Sequence, residues 1–486
     1  MPYVLGIDVG SGRTRAAISR RSATGWSDPI LVGLGERQPG VPTVVYLAAD
    51  RSVVVGDEAE RQAATDPTRI ARGFTARIGD DVPLVLGGTL CTAQELCAVL
   101  LRWVTDRVTE REGGPAERVV VTHPAGWGAH RKALLHRELG RQGLTDVTLL
   151  AEPIAVAEGY PGPVATGGLL ATYALGAATA EAAVLLRTDD GGFELVGHLS
   201  GGGDLAGGGF DDAIMECVRA QVGAVLDQLD PTEPQAWLAM ARLRGGSAAA
   251  KELLSGQPEV IIPVGLPDGP VDARITRTDF ERIIQPAVGA GADLLTRVIR
   301  SAGDPVAIAL TGGSARIPLV ATTVAAAAAP ARLVVAAEPD ATVALGAVVA
   351  ARRLLTGPER VPDQAAPDAQ ALTDVIERSA IELYGGRFDP VAIDDEFGEV
   401  PPPRPPVEVS PLDLPERRLS ARRLLPGVRP AVLTVSTIVV VAIGIVLTFL
   451  IESGSGNHQN PTGPLHIGPA QPAADQSVQG RGTATP

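Results

Sequence analysis

Leu310-Thr311-Gly312-Gly313-Ser314-Ala315-Arg316-Ile317-Pro318 is the stretch on which the fold turns. An apolar strand, predicted over Val306–Leu310, runs into a double glycine, then Ser, with an Arg two residues further on. Glycines lack a Cβ, so a nucleoside can lie against such a backbone, and a planar guanidinium can stack on its base. Downstream, Glu338-Pro339-Asp340-Ala341-Thr342-Val343-Ala344-Leu345-Gly346-Ala347 opens a helix of small residues. Near the other end, Leu5-Gly6-Ile7-Asp8-Val9-Gly10-Ser11-Gly12-Arg13-Thr14 is an apolar strand ending in Asp, followed by a Gly-rich turn. An Asp at a strand end can hold water on a magnesium ion, and turn glycines let N–H groups approach phosphate oxygens.

Strand-like apolar runs alternate with helical stretches over residues 1–355, the pattern of an α/β fold. Strands are predicted at Tyr3–Asp8, Arg118–Thr122, Gly168–Tyr173 and Val306–Leu310, and helices at Ala93–Arg111, Ala129–Gln142, Phe210–Leu229 and Arg277–Ser301. A chain of 486 residues exceeds one hydrophobic core, so at least two lobes are expected. With only 3% aromatic residues, the cores must be built from Ala, Val, Leu and Ile. The net charge of −14 argues against nucleic-acid binding. Lys132 and Lys251 are the only lysines, which limits any lysine-dependent mechanism. Cys91, Cys97 and Cys217 fit neither a disulfide framework nor a zinc site; all three are read as inert thiols on helices, in a reducing compartment.

Together these motifs, in this order, resemble the nucleotide-binding domain of the heat-shock-70 (DnaK-like) chaperone family over about residues 3–355. Further matching segments are GVPTVVYL (40–47), VGDEAERQA (55–63), the 121–144 segment beginning VTHPAGWGAHRKALL, AEPIAVAEGY (151–160), GGGFDDAI (207–214), RLRGGSAAAKELLS (242–255) and ITRTDFERII (275–284). The resemblance implies an actin-like ATPase (ribonuclease H-like) α/β fold, duplicated into two lobes around a nucleotide cleft, with ATP or ADP and Mg2+ as cofactors. It places Asp8 by the magnesium, acting through water. Gly10, Ser11 and Gly12 become the first phosphate loop. Glu152 positions the attacking or metal-bound water, and Pro124 and Lys132 relay nucleotide state to the surface. Lys251 and Ser255 contact the nucleoside; Gly312, Gly313, Ser314, Arg316 and Asp340 line the adenosine pocket.

The departures bear on chemistry. Where the family's second phosphate loop reads Asp-Leu-Gly-Gly-Gly-Thr-Phe-Asp, this chain has Ala174-Leu175-Gly176-Ala177-Ala178-Thr179-Ala180-Glu181. A magnesium-holding carboxylate is gone at Ala174, and two Cβ atoms stand where backbone should close on the γ-phosphate. Thr179 alone is kept as a catalytic residue of that loop, and Glu181 is a longer acid. In the first loop, the family's two threonines are Ser11 and Gly12. The family's lysine falls at about Thr75, leaving Arg77 or Arg13 to supply charge, although Arg has a different reach. Phosphoryl transfer rests on positioning and charge neutralisation, so hydrolysis should be slow or absent while adenine-nucleotide binding persists.

Ala431–Ile451 is a run of 21 uncharged residues, AVLTVSTIVVVAIGIVLTFLI. At ~1.5 Å per residue it spans ~32 Å, one bilayer core. Arg417, Arg418, Arg422, Arg423 and Arg429 precede it and Glu452 follows, so residues 1–430 are expected in the cytoplasm and the tail outside. The chain then divides into a nucleotide-binding domain (1–355), a Pro-rich cytoplasmic linker (356–430), a transmembrane helix (431–451) and a disordered outer tail (452–486). A helix is conceivable at Asp368–Tyr384, but no strand-rich segment follows residue 355. A membrane-tethered, chaperone-like nucleotide sensor or scaffold with a cytosolic or membrane protein partner is therefore favoured. An active ATP-hydrolysing chaperone and an actin-like membrane polymer are the alternatives.

Overall fold

The computed structural model describes residues 1–356, apart from Arg37, 227–233 and 267–268. The linker after residue 356, the helix considered at Asp368–Tyr384, the apolar span 431–451 and the tail all lie outside the described residues. Among the described residues no helix is long and apolar enough to cross a membrane.

In the first half, β1 (Tyr3–Val9) turns into β2 (Arg13–Ser22), and the short strands β3 (Gly25–Trp26), β4 (Ile30–Val32) and β5 (Val41–Pro42) follow. A small sheet of β6 (Val44–Leu47), β7 (Val53–Val55) and β8 (Ile70–Arg72) carries α1 (Asp57–Ala63). A hairpin of β9 (Leu84–Leu86) and β10 (Thr89–Cys91) leads into α2 (Ala93–Glu112), β11 (Arg118–His123), α3 (Ala129–Arg141), β12 (Val147–Ala151) and α4 (Glu152–Glu158). The second half opens with β13 (Leu169–Leu175), β14 (Thr179–Arg187) and β15 (Phe193–Gly202). It continues through α5 (Gly207–Leu226), α6 (Pro234–Leu254), the hairpin β16 (Glu259–Leu266) and β17 (Gly269–Thr276), and α7 (Arg277–Ala302). It closes with β18 (Ala307–Thr311), α8 (Pro318–Ala327), β19 (Arg332–Val335) and α9 (Thr342–Thr356).

Both halves build the same sheet. The first runs β12-β11-β1-β2-β3, and the second β19-β18-β13-β14-β15. In each, the first strand pairs antiparallel with the next strand and parallel with a later one, β1 with β2 and β11, β13 with β14 and β18. Each sheet has its own large core, one around Leu5, Ile7, Phe74, Leu96 and Leu100, the other around Tyr173, Phe210, Phe280, Leu295 and Leu310. The two-lobed, duplicated architecture expected from the sequence is thus present.

Local chemistry explains the element ends. β1 reads as an unbroken apolar run because helices cover both of its faces, and all but its last residue are buried. α2 starts in a capping box, in which Thr92 accepts from the Glu95 N–H at 3.3 Å and Glu95 accepts from the Thr92 N–H at 3.4 Å. It stops at Gly113, whose φ of 75° suits a residue without a Cβ. The helix expected from Phe210 begins three residues earlier, at Gly207, and ends at Leu226; 227–229 lie outside the described residues. One assignment is corrected: Cys97 and Cys217 sit on helices, but Cys91 ends strand β10, in a hairpin too short to show periodicity. Burial pushes the Cys91 and Cys97 thiols up to about 11 and about 12, so both are inert.

α9 crosses back from the second half onto the first sheet, where it packs with β1 and α4. Two glycines set this approach. A Cβ on Gly6 would lie 2.7 Å from the Ala344 carbonyl oxygen, and one on Gly346 only 1.8 Å from that of Ala155. The neighbours are backbone and cannot swing away. Gly346→Ala should therefore cost about 1–3 kcal/mol of stability through overpacking. Thermal unfolding followed by circular dichroism should show a melting temperature several degrees lower.

Candidate functional site: two loops, three carboxyls and a pair of arginines

Asp8 is the penultimate residue of β1 and is 7% exposed. Thr122 on β11 donates to its Oδ1 at 3.1 Å, and β-register sets it directly opposite Arg15 of β2. Residues opposite in an antiparallel pair share a face, so the charge of Arg15 acts on Asp8, although the Arg15 guanidinium makes its hydrogen bond to Asp340 and not to Asp8. Burial pushes the Asp8 carboxyl up to about 6, against the pull of Arg15 and Thr122.

The turn Gly10–Gly12 is held by Thr43, which lies between β5 and β6. The Thr43 hydroxyl donates to the Gly10 carbonyl at 2.7 Å, and its N–H to the Gly12 carbonyl at 3.0 Å. Gly10 has no room for a Cβ, which would meet the Arg13 carbonyl oxygen at 2.8 Å. Thr43 belongs to the segment singled out at 40–47, but its role as a pin needs the tertiary structure.

The second loop, between β13 and β14, rests on the first. The Ala178 N–H donates to Ser11 Oγ at 3.1 Å, and the Ala177 Cβ fills the space beside Gly12, where a Cβ would come within 2.8 Å. The turn is closed by the Gly176 N–H on the Thr179 carbonyl at 2.9 Å. Thr179 is exposed and contributes that backbone contact, with no side-chain hydrogen bond. From the other side, the Gly207 and Gly208 N–H groups donate to the Gly176 and Ala177 carbonyls at 2.9 and 2.7 Å. Those donors open α5, where a free helix start would attract an anion. Here they serve the loop instead.

Glu152 opens α4 and Glu181 is buried on β14. The Ala125 N–H, just after Pro124, donates to Glu181 Oε1 at 3.0 Å, linking the segment between β11 and α3 to β14. Burial pushes Glu181 up to about 7. Burial, and then the charges of Asp8 and Glu181, hold Glu152 well above the usual carboxylate range. His123, beside Pro124, is buried, bonded to the Pro124 carbonyl through Nδ1 at 2.8 Å and stacked on Trp127, a satisfied core residue. Lys132 lies on α3.

The nucleoside-side residues also converge. Lys251 donates to the Gly207 carbonyl at 2.9 Å and pairs with Asp211 at 2.8 Å. The Ser255 hydroxyl donates to the Lys251 carbonyl at 3.3 Å. A Cβ on Gly207 would meet Ser314 Oγ at 3.0 Å and Lys251 Nζ at 3.1 Å, so these side chains surround one point. Gly312 has φ of 89°, and a Cβ there would strike the Leu175 carbonyl oxygen at 2.4 Å; its N–H donates to Pro339. A Cβ on Gly313 would meet nothing within 4 Å. Arg316, expected to be available for stacking on a base, donates to Asp340 Oδ1 at 2.6 Å, and Arg15 donates to the other oxygen of the same carboxylate. Burial works against ionisation of Asp340, and the attraction of Arg15 and Arg316 overcomes it, holding the carboxyl below its ordinary value.

The two arginines considered as replacements for the family's lysine are engaged with nearby groups. Arg77 pairs with Asp80 and donates to the Val82 carbonyl at 2.8 Å, bound to its own turn. Arg13 donates to the Gly40 carbonyl at 3.1 Å. The cation facing Asp8 is Arg15, which sequence reasoning missed. The donor set does not suit a protein-held magnesium ion. Ala174 offers no carboxylate, the charge of Arg15 already acts on Asp8, and among the described residues no three His, Cys, Asp or Glu side chains gather as a metal cluster.

Because Glu181 is raised when folded, it binds more protons in the folded than in the unfolded state between pH ~4.5 and 7, and its contribution falls as pH rises through that window. Glu181→Gln keeps an acceptor for Ala125 and removes the titration. Its melting temperature should exceed the parent's at pH 8 by an amount equivalent to about 2 kcal/mol and match it near pH 5. Thermal melts at both pH values check this.

Comparison with known proteins places this geometry in context. The family model described as Hsp70 protein matches residues 79–392, more than half of the chain. The Chaperone protein HscA homolog of Bordetella petrii is 31% identical over 411 residues, covering 79% of this chain and 62% of its own length. That of Pseudomonas fluorescens strain SBW25 is 30% identical over 416 residues, covering 80% and 63%. That of Burkholderia mallei strain SAVP1 is 32% identical over 305 residues, covering 61% and 46%. The chain thus spans less than two thirds of the length of these relatives.

Proposed function

The chain belongs to the Hsp70 family, and from that premise we propose that it is an adenine-nucleotide-binding, chaperone-like sensor or scaffold that hydrolyses ATP weakly or not at all. The observation that carries this reading is the seating of the second loop on the first. Ala177 packs against Gly12, Ala178 bonds Ser11, and the opening N–H groups of α5 are spent on the loop's own carbonyls. A γ-phosphate needs that space and those donors, whereas the nucleoside side keeps Gly312, Gly313, Ser314, Lys251 and Ser255 grouped. ATP or ADP is the proposed ligand, and magnesium has no protein-held site in the reading.

The chaperone part of the proposal rests on family membership and on relatives named as chaperone proteins. The span 431–451 supports a single-pass anchor, with the nucleotide domain on the Arg-rich cytoplasmic side and the tail outside. Its partner is then a cytosolic or membrane protein, and the charge balance disfavours nucleic acid.

Steady-state phosphate release with ATP tests the hydrolysis part. The parent should turn over at or near background, and Glu152→Ala should leave that rate unchanged. Restoring the loop with Ala174→Asp, Ala177→Gly and Ala178→Gly together should raise the rate by about tenfold or more, the scale of one recovered transition-state interaction. Robust turnover in the parent, abolished by Glu152→Ala, would instead establish an active ATPase chaperone.

A further inference from the structure

Arg15 has no counterpart among the residues that the family resemblance assigned to the site. β2 presents it on the same sheet face as Asp8, three residues after the Gly10–Gly12 turn. Its side chain is 14% exposed. The hydrogen bond to Asp340 uses Nη2 alone, so Nε and Nη1 keep donors of the five that a guanidinium carries. Asp340 is shared with Arg316, so one carboxylate answers two guanidinium groups. The charge of Arg15 also favours the ionised form of Asp8, the residue opposite it in the register.

Asp8 is the residue through which a hydrated magnesium ion would connect the protein to phosphate. With Ala174 in the second loop, only one carboxylate of that pair remains. Charges in a buried site interact far more strongly than in water, and a guanidinium matches phosphate oxygens through paired N–H donors. A fixed cation opposite Asp8 can therefore neutralise the carboxylate and receive phosphate, both tasks of the ion.

We propose that Arg15 is a phosphate-binding residue that takes the place of the divalent cation beside Asp8, so that a nucleoside diphosphate is held without magnesium. The inference deepens the nucleotide-binding reading above and rests on it. Arg15 contacts the phosphates and not the nucleoside, so its contribution is confined to phosphorylated ligands. A purely structural Arg15, acting through Asp340 and Arg316, would instead affect adenosine and ADP alike.

The test is calorimetric titration of the 486-residue chain with adenosine and with ADP, each with magnesium and with EDTA, for the parent, Arg15→Met and Arg15→Lys. Met keeps the aliphatic stem and Lys keeps the charge, and circular dichroism melts check that each variant folds. In the parent, ADP affinity should change less than about threefold between magnesium and EDTA. Arg15→Met should lose about 10- to 100-fold in ADP affinity, the range of a charge-assisted hydrogen bond, with adenosine affinity within about twofold of the parent. Arg15→Lys should recover part of that loss. ADP binding that collapses in EDTA, or equal losses of adenosine and ADP in Arg15→Met, would overturn the proposal while leaving nucleotide binding intact. Failure of the parent to bind even adenosine would sink the nucleotide-binding reading, and this proposal with it.

Discussion

α9 reaches β1 and α4 only because Gly6 and Gly346 carry no side chains. The rest of the site hangs on that contact. α9 is the last described element of the second half, yet its packing surface is the sheet of the first. Asp340 lies just before its start, so the approach carries that carboxylate to Arg15 on β2. Arg316, on the turn after β18, reaches the same carboxylate from the second sheet. One pair of glycines thereby fixes the distance between strand β1, which carries Asp8, and the Gly312–Arg316 turn. Larger residues at either position would push α9 away from both and separate the two parts of the cleft.

The electrostatics follow from this closure. Asp8 and Glu181 are buried and Glu152 is half-buried near them, and each has its ionisation disfavoured first by desolvation. A site with three such groups has to meet the cost by protonation, by a bound cation or by a side-chain cation. This chain supplies the last of these to Asp8 through Arg15. It also gives Glu181 one backbone donor, the Ala125 N–H, on the segment that carries Pro124. The protonation state of Glu181 is thus felt directly by the loop leading to α3.

Much of this was legible in the amino-acid order, for reasons that are local. Strand β1 shows itself by an unbroken apolar run, and α2 and α7 by Thr caps followed three residues later by an acid. The glycine pairs mark places where backbone must come close, and Gly312 is one of them. Cys91 was assigned to a helix because three-residue strands leave no periodic trace beside the strong helical pattern that starts at Ala93. Arg15 was passed over for a different reason. Its meaning comes from register with Asp8 and from a partner 325 residues away, neither of which a linear motif encodes. Arg77 looked better placed by alignment to the family pattern, but a nearby Asp80 and the Val82 carbonyl hold it in its own turn.

Binding and chemistry draw on different parts of such a site, and the proposed reading has them altered separately. Nucleoside recognition needs close backbone and a few polar side chains, and these remain at Gly312, Ser314, Lys251 and Ser255. Phosphoryl transfer needs more: a loop with free N–H groups at the γ-position and charge that can be met as it develops. Ala177 and Ala178 change the first by filling space and bonding to Ser11. Ala174 changes the second by removing a carboxylate, and with it part of the reason for a divalent ion. Once that carboxylate is gone, a hydrated ion would have weaker anchorage, which is the ground on which Arg15 is proposed to take its place. The two changes are mutually consistent. A site that has lost its metal partner keeps its phosphate affinity only if a fixed positive charge stands where the ion stood.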